Sequence, residues 1–246
     1  MHHFKFAIAQ VASMKGDVES NIATHLKAII KASELGVSYL VFPELSLTGY
    51  EPELASKLAF SKSDKRLNPL INASVKYNVT IAVGAPLVSD GLPEIGLIII
   101  SPTNEIETYS KMNLHPGEDN YFIQGDQHHY VEISATKIVN AICADSNNSD
   151  HVEYCLEIGA SVYIAGVLIS ETGYSADTTA LKNYAKKFNI LVAMANHNRA
   201  TGIWQPIGKS AIWSNTGLLA QANENQDALL VAEKLDEHWT AQLFEM

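Results

Sequence analysis

The segment KIVNAICADSNNSDHVEYCLEIGA, Lys137 to Ala160, passes from an apolar β-branched run through a small polar loop into a stretch of helical period that closes at Gly159. Strand, turn and helix in that order mark an α/β unit. Within the helical part, Asp150 and Glu153 fit a capping box, and Val152, Cys155 and Leu156 fall on one apolar stripe. The same alternation continues in both directions. Upstream, FKFAIAQV reads as a strand and DVESNIATHLKAIIKASELG as a helix, with Ile22, Leu26, Ile29, Ile30 and Ser33 near one face and Gly36 placed to close it. VSYLVFPE is a nearly continuous apolar strand, which predicts burial on both faces. A helix over Lys65 to Tyr77 and the strands VTIAVGAP and EIGLIIISP follow. Downstream, ASVYIAG, ILVAMAN, SAIWS, GLLAQA and ALLVAEKL read as strands, and a helix is predicted from Asp177 to Phe188. No linker, short repeat or low-complexity tract divides the 246 residues, a length that one α/β domain commonly reaches, so a single domain over residues 1–246 is expected.

Seventeen Lys and Arg against 27 Asp and Glu give a formal net charge of −10. A field of that sign repels phosphate backbones and anionic lipid, so neither nucleic acid nor a membrane is expected as a partner. No apolar run approaches the roughly 20 residues of a membrane span, and the N-terminal MHHFKFAIAQ lacks the layout of a signal peptide. Two cysteines do not make a disulfide framework. Together these features predict a cytoplasmic protein with reduced thiols. The pair His128-His129 has no Cys or carboxylate partner at metal-ligand spacing, and no metal is expected.

The two thiols differ in setting. Cys155 lies on the apolar stripe of a helix and reads as a small core residue. Cys143 ends an apolar strand and begins a polar loop, where a strand-to-helix turn can present a nucleophile at the carboxyl edge of a sheet. A buried strand-end cysteine fits the same pattern. A nucleophilic thiol needs a base or a nearby cation, because at its ordinary pKa of about 8.5 it is mostly protonated. Glu44, following Pro43 at the end of VSYLVFPE, places a carboxylate at a similar edge, though a solvated strand-end residue reads the same way. Lys111, in ETYSKMNLHPGEDNYF, is either an exposed lysine after a short strand or the cation.

Taken in order, these segments resemble the nitrilase superfamily, the carbon-nitrogen hydrolases, over nearly the whole chain. Gln10 ends the first strand as in that family, and Phe42, Pro43, Glu44, Leu45, Thr48, Gly49 and Tyr50 match the segment of its catalytic Glu. Tyr109 and Lys111 match the Tyr-x-Lys of its catalytic Lys, and Glu118 precedes Phe122 at the spacing of its second Glu, with Gly125 and Asp126 beyond. Cys143 and Asp145 match its Cys-x-Asp, and Asn196, Gly208 and Ser210 recur in family order. The resemblance implies a four-layer α-β-β-α sandwich forming one carbon-nitrogen hydrolase domain, paired as a homodimer or higher homo-oligomer, without a cofactor. It also implies a Glu44-Lys111-Cys143 triad in which Lys111 favours the thiolate, Glu44 exchanges protons, and Glu118 orients Lys111 or the amide. Ala144 would offer its backbone N–H to the oxyanion.

The expected activity is hydrolysis of a small carboxamide, or a related linear non-peptide C–N bond, through a Cys143 thioester. A nitrile substrate, amide-dependent acyl transfer, or a catalytically silent binding or scaffold protein of the same fold are the alternatives. Tyr50, Phe122 and Asn196 are candidates for the pocket wall, with Trp204 in a loop that can reach its mouth; core packing, or for Asn196 a strand-end hydrogen bond, explains the first three equally well. The chain departs from the family where Asn148, Ser149 and Asp150 replace Phe-Pro-Glu, where Glu153 lies in the region of a common Arg, and where Asn113 stands for a His. The segment KNYAKKFN also replaces an Arg-Ala and Glu-Asn helix pattern.

Overall fold

The computed structural model describes residues 4–235 and 238–246. Its first half runs β1 (Lys5–Gln10), α1 (Val18–Glu34), β2 (Tyr39–Val41), α2 (Ala55–Leu58), α3 (Asn68–Tyr77), β3 (Thr80–Leu87), β4 (Glu94–Ile100) and β5 (Ile106–Ser110). The second runs β6 (His129–Ile133), β7 (Thr136–Ile142), α4 (Ser149–Ile158), β8 (Val162–Val167), α5 (Glu171–Phe188), β9 (Leu191–Asn196), β10 (Ala211–Ser214), β11 (Gly217–Gln221), β12 (Ala228–Leu235) and β13 (His238–Glu245). One sheet has the order β13-β12-β1-β2-β3-β4-β5 and the other β11-β10-β9-β8-β7-β6. Strands β1, β2 and β3 are mutually parallel, as are β7, β8 and β9, and antiparallel hairpins flank both trios.

The apolar runs are continuous because each strand serves two cores. Phe6, Ile8, Tyr39, Val41, Ile138, Ile164 and Leu191 point into the space between the sheets. Their alternates Ala7, Ala9 and Leu40 meet α1 and α3, while Val139, Tyr163, Ala165 and Val192 meet α4 and α5. With a period of two, such strands must be apolar at nearly every position. The layering is helix, sheet, sheet, helix, as the resemblance implied. A polar contact runs through the inter-sheet core, from Tyr39 OH to Asn140 Oδ1 at 2.7 Å.

Three local expectations are corrected. Helix α1 buries Asn21, Ile22, His25, Ala28, Ile29 and Ala32, whereas Ile30 is exposed and Leu26 and Ser33 are half-buried. Two polar residues take inward positions because they hold the loop after β2: Asn21 Nδ2 donates to Leu47 O at 3.0 Å, and His25 Nε2 meets Ser46 Oγ at 3.0 Å. Helix α4 is capped by Asn148, whose Oδ1 accepts from Asp150 N at 3.1 Å, so Asp150 and Glu153 form no capping box there, and Leu156 is exposed. Helix α5 starts at Glu171, six residues before the expected Asp177. The polar, glycine-containing ETGYSA reads as a loop, yet it is the turn of helix bordering the cavity described next.

Candidate active site

Glu44, from the loop after β2, meets Lys111 and Glu118, both from the connection between β5 and β6, in one buried cluster. The loop bearing Glu44 leaves β2 and passes through Leu45, whose φ is +51°. It is clamped from both sheets at places where only hydrogen fits: a Cβ on Gly84 would lie 2.4 Å from Leu45 N, and one on Gly166 would lie 2.6 Å from Phe42 O. His197 Nε2 is 2.7 Å from the Glu44 carbonyl, so that nitrogen carries the proton and donates. Burial lowers the His197 pKa to about 4, which keeps the ring neutral in this role.

Lys111 follows β5 directly and is fully buried. Its Nζ donates to Glu44 Oε1 at 2.8 Å and to Glu118 Oε1 and Oε2 at 2.9 and 2.8 Å. Glu118 is held in turn by Tyr50 OH at 2.6 Å and by the His115 backbone N–H at 2.7 Å. Burial opposes the ammonium charge, but Glu44, Cys143 and Glu118 outweigh it and hold the Lys111 pKa above its ordinary value. Glu44 moves the other way from most carboxylates: burial raises it to about 7 against the opposing pull of Lys111. Its second oxygen, Oε2, is buried without a hydrogen-bond partner among the described residues.

Cys143 opens the short 3-10 turn Cys143–Asn147 after β7, with φ of +43°. Non-glycine residues hold this left-handed conformation only under constraint from their surroundings. The constraint is Asp145. Its Oδ2 accepts from Ile142 N at 2.9 Å and Tyr109 OH at 2.6 Å, and its Oδ1 accepts from Met112 N at 3.0 Å and Asn113 N at 2.8 Å. One carboxylate thus ties the cysteine turn to the chain that follows Lys111. Tyr109 OH also meets His151 Nε2 at 2.8 Å, and His151 Nδ1 meets Tyr163 OH at 3.0 Å.

The thiol itself is pushed upward, first by burial and then by Glu44, and Lys111 only partly counters this. Lys111 pulls toward the thiolate, but burial and Glu44 outweigh it, so the balance favours a neutral thiol beside a carboxyl group of intermediate acidity. Glu44 and Cys143 both border a cavity of about 250 Å³, with Leu168, Ser170, Thr172 and Trp204 among its walls. Among the described residues, no group of three or more His, Cys, Asp or Glu is arranged to hold a metal.

The carbon-nitrogen hydrolase family profile matches residues 5–238. This chain belongs to that family. Among relatives, this carbon-nitrogen hydrolase is similar to the glutamine-dependent NAD(+) synthetases of Thermotoga maritima, 27% identical over 210 residues (82% of this chain, 36% of that protein), and Aquifex aeolicus, 30% identical over 198 residues (77% and 35%). The chain thus spans about a third of the length of these curated relatives. In fold it is similar to an amidase of the nitrilase superfamily from Nesterenkonia sp. AN1, with a TM-score of 0.87 and 20% identity over 95% of this chain and 91% of that one. One mutant of that amidase carries an acetamide moiety on its active-site cysteine, and another binds butyramide.

The other residues singled out in this hydrolase's sequence divide clearly. Tyr50 borders the cavity and holds Glu118. Ala144 is the second residue of the cysteine turn, where a backbone N–H has no acceptor within the turn. Phe122 packs in the inter-sheet core and does not border the cavity. Asn196 does not border it either: its Nδ2 donates to Ile169 O and Gly208 O, and its Oδ1 accepts from Ile169 N, all at 2.9 Å, which fixes the cavity wall from behind. Gln10 does similar work, accepting from Ser210 N at 2.9 Å and donating to Asn223 O and Gln226 O. Sequence reasoning missed the staple made by Asp145, which it had only as part of a motif, and the bordering residues His115, Thr172 and Asp177. No short-range pattern marks these, since they meet through the fold.

Proposed function

We propose that this carbon-nitrogen hydrolase cleaves a small carboxamide by way of a thioester on Cys143. The observation that supports this reading is the buried ammonium of Lys111 clasped between Glu44 and Glu118, beside a thiol that opens onto a small cavity. Burying such charges costs several kcal/mol per ion unless they are tightly paired. A silent scaffold gains nothing from that expense, which disfavours the scaffold alternative.

Glu44 takes the thiol proton as the Cys143 sulfur forms a bond to the amide carbon. The carbonyl π electrons move to oxygen, and Lys111 with the Ala144 N–H stabilises the resulting anion. A single preorganised donor of this kind is worth about 3–4 kcal/mol. Glu44 then gives its proton to the amide nitrogen, the C–N bond breaks, and ammonia leaves the acyl group on sulfur. Water attacks that thioester, losing its proton to Glu44, and the carboxylic acid departs as the sulfur recovers the proton. A carboxyl group near 7 exchanges protons in both directions at neutral pH, which suits this double duty.

The test is ammonia release from a panel of acetamide, butyramide and glutamine, the last because the similar synthetases are glutamine-dependent. The native protein is expected to release ammonia from at least one of them and the Cys143→Ala protein from none. Equal release by both proteins refutes the proposal.

A further inference from the structure

The cavity bordered by Glu44 and Cys143 is also walled by a helix. Helix α5 contributes Thr172, Gly173 and Asp177 to its wall. The Asp177 carboxylate lies back over Gly173, where a Cβ would come within 3.2 Å of Oδ2, a tight contact that glycine avoids. Asp177 has no hydrogen bond or ion pair among the described residues. Glu44 and Glu118 are, by contrast, spent on Lys111.

Among the described residues, no Lys or Arg borders the cavity. A basic side chain that does border it is His115, which acts on the Asp177 carboxyl in the direction opposite to burial. The first turn of α5 carries its own anion, Glu171, to offset the positive end of the helix dipole. Trp204 adds an aromatic face, on which an alkylammonium group is stabilised. At about 250 Å³ the space is smaller than the range of roughly 300–1,000 Å³ usual for drug-sized ligands, so both ends of a short molecule meet its walls.

We infer that the cavity selects short amides whose far end carries an ammonium group, with Asp177 as the residue that recognises that charge. This rests on the amide-hydrolysis reading for its reactive end, but the charge preference is measurable without turnover. The cationic probes are 3-aminopropanamide and 5-aminopentanamide. Butanamide and hexanamide are their uncharged counterparts, and glutaramate carries an anion instead.

Calorimetry on the Cys143→Ala protein measures binding, and ammonia release by the otherwise native protein measures kcat/KM. The preference for at least one cationic probe over its uncharged counterpart is expected to be about tenfold in both measurements, the size of one hydrogen-bonded charge contact. Asp177→Asn is expected to abolish that ratio and Asp177→Lys to favour glutaramate, with thermal melts confirming that both fold. Equal handling of cationic and uncharged probes, a preference for glutaramate in the native protein, or a ratio that survives Asp177→Asn overturns the inference. Cationic preference in binding without turnover of any amide leaves it standing and overturns the proposed reaction. Neither binding nor turnover of any probe overturns both.

Discussion

Replacing Glu44 with Gln tests the electrostatics of the site through two independent readouts. The change preserves size, and the amide oxygen can keep the 2.8 Å contact with Lys111 Nζ. What disappears is a titration. In the folded protein Glu44 ionises near 7 against an ordinary 4.5, because it is buried. Between those two values the native state holds a proton that the unfolded chain has released, so stability falls as pH rises through this window. The stabilisation is fully present below pH 4.5 and gone above about 7. At about 1.4 kcal/mol for each tenfold in proton affinity, the loss amounts to about 3 kcal/mol.

Urea unfolding from pH 4.5 to pH 8, followed by the fluorescence of the three tryptophans, gives the profile for each protein. Subtracting one profile from the other cancels the remaining titrating groups to first order. The native protein should lose about 3 kcal/mol relative to Glu44→Gln across the window. In parallel, kcat/KM of the native protein should rise with pH around 7, as the carboxylate form of the base is populated. Glu44→Gln should lose roughly 10²–10⁴-fold in rate together with that limb. A flat difference between the two stability profiles, or a variant that keeps the limb, refutes the assignment of Glu44 as the buried base.

Asp145→Asn places an amide group against a carboxylate site that accepts from Ile142 N, Tyr109 OH, Met112 N and Asn113 N. Calorimetric melting should show a loss of about 2–4 kcal/mol, since hydrogen bonds to a buried charge are among the stronger ones, and activity should fall with it. Gly166→Ala forces a methyl against Phe42 O, at 2.6 Å for an unmoved backbone, and should displace the Glu44 loop. Its expected signature is a loss of 1–3 kcal/mol in urea unfolding together with lost turnover, overpacking being of that order. A thiol-reactive probe should label Cys143 and spare Cys155, which is fully buried, with a labelling rate that climbs with pH because the Cys143 thiol is pushed upward. Peptide mass spectrometry reads the sites, and preferential modification of Cys155 contradicts the exposure of the two.

The residues that carry chemistry were legible where they sit at strand ends within short ordered motifs. Glu44, Lys111 and Cys143 each follow an apolar or short strand, Glu118 is marked only by its spacing to Phe122, and their order along the chain carries the resemblance. The direction of the thiol's ionisation was not legible, because it depends on whether burial outweighs a nearby ammonium, and burial belongs to the fold. The inward face of α1 was misread for a related reason. Asn21 and His25 look like surface residues until the loop that they hydrogen-bond is placed beneath them. Strands β6 and β13, at or near sheet edges with alternating exposure, carry too little apolar signal to stand out from loops. The first turn of α5 hides behind Gly173, a helix-weakening residue whose lack of a side chain leaves room for the Asp177 carboxylate.

The departures from the family pattern acquire a common explanation once placed in space. Asn113 and Asn148 stand where relatives commonly carry His and Phe, and in the fold they touch: Asn148 Nδ2 donates to Asn113 Oδ1 at 3.3 Å. Both are anchored at Asp145, Asn113 through its backbone N–H and Asn148 by donating its own to the Asp145 carbonyl at 3.2 Å. Two departures that look independent in sequence therefore form one joint between the lysine loop and the cysteine turn. Glu153, in the region of a common Arg, lies on the outer helical layer and reaches Lys187 at 3.3 Å, within the divergent segment KNYAKKFN. An exposed pair of this kind contributes at most about 1 kcal/mol and does not touch the cavity. The changes thus fall on a joint behind the turn and on the outer surface, apart from the buried cluster of Glu44, Lys111 and Glu118. What separates this protein from its relatives is then to be sought in the wall built by α5 and the loop of Trp204, since those residues meet the part of a substrate that lies beyond the reacting bond.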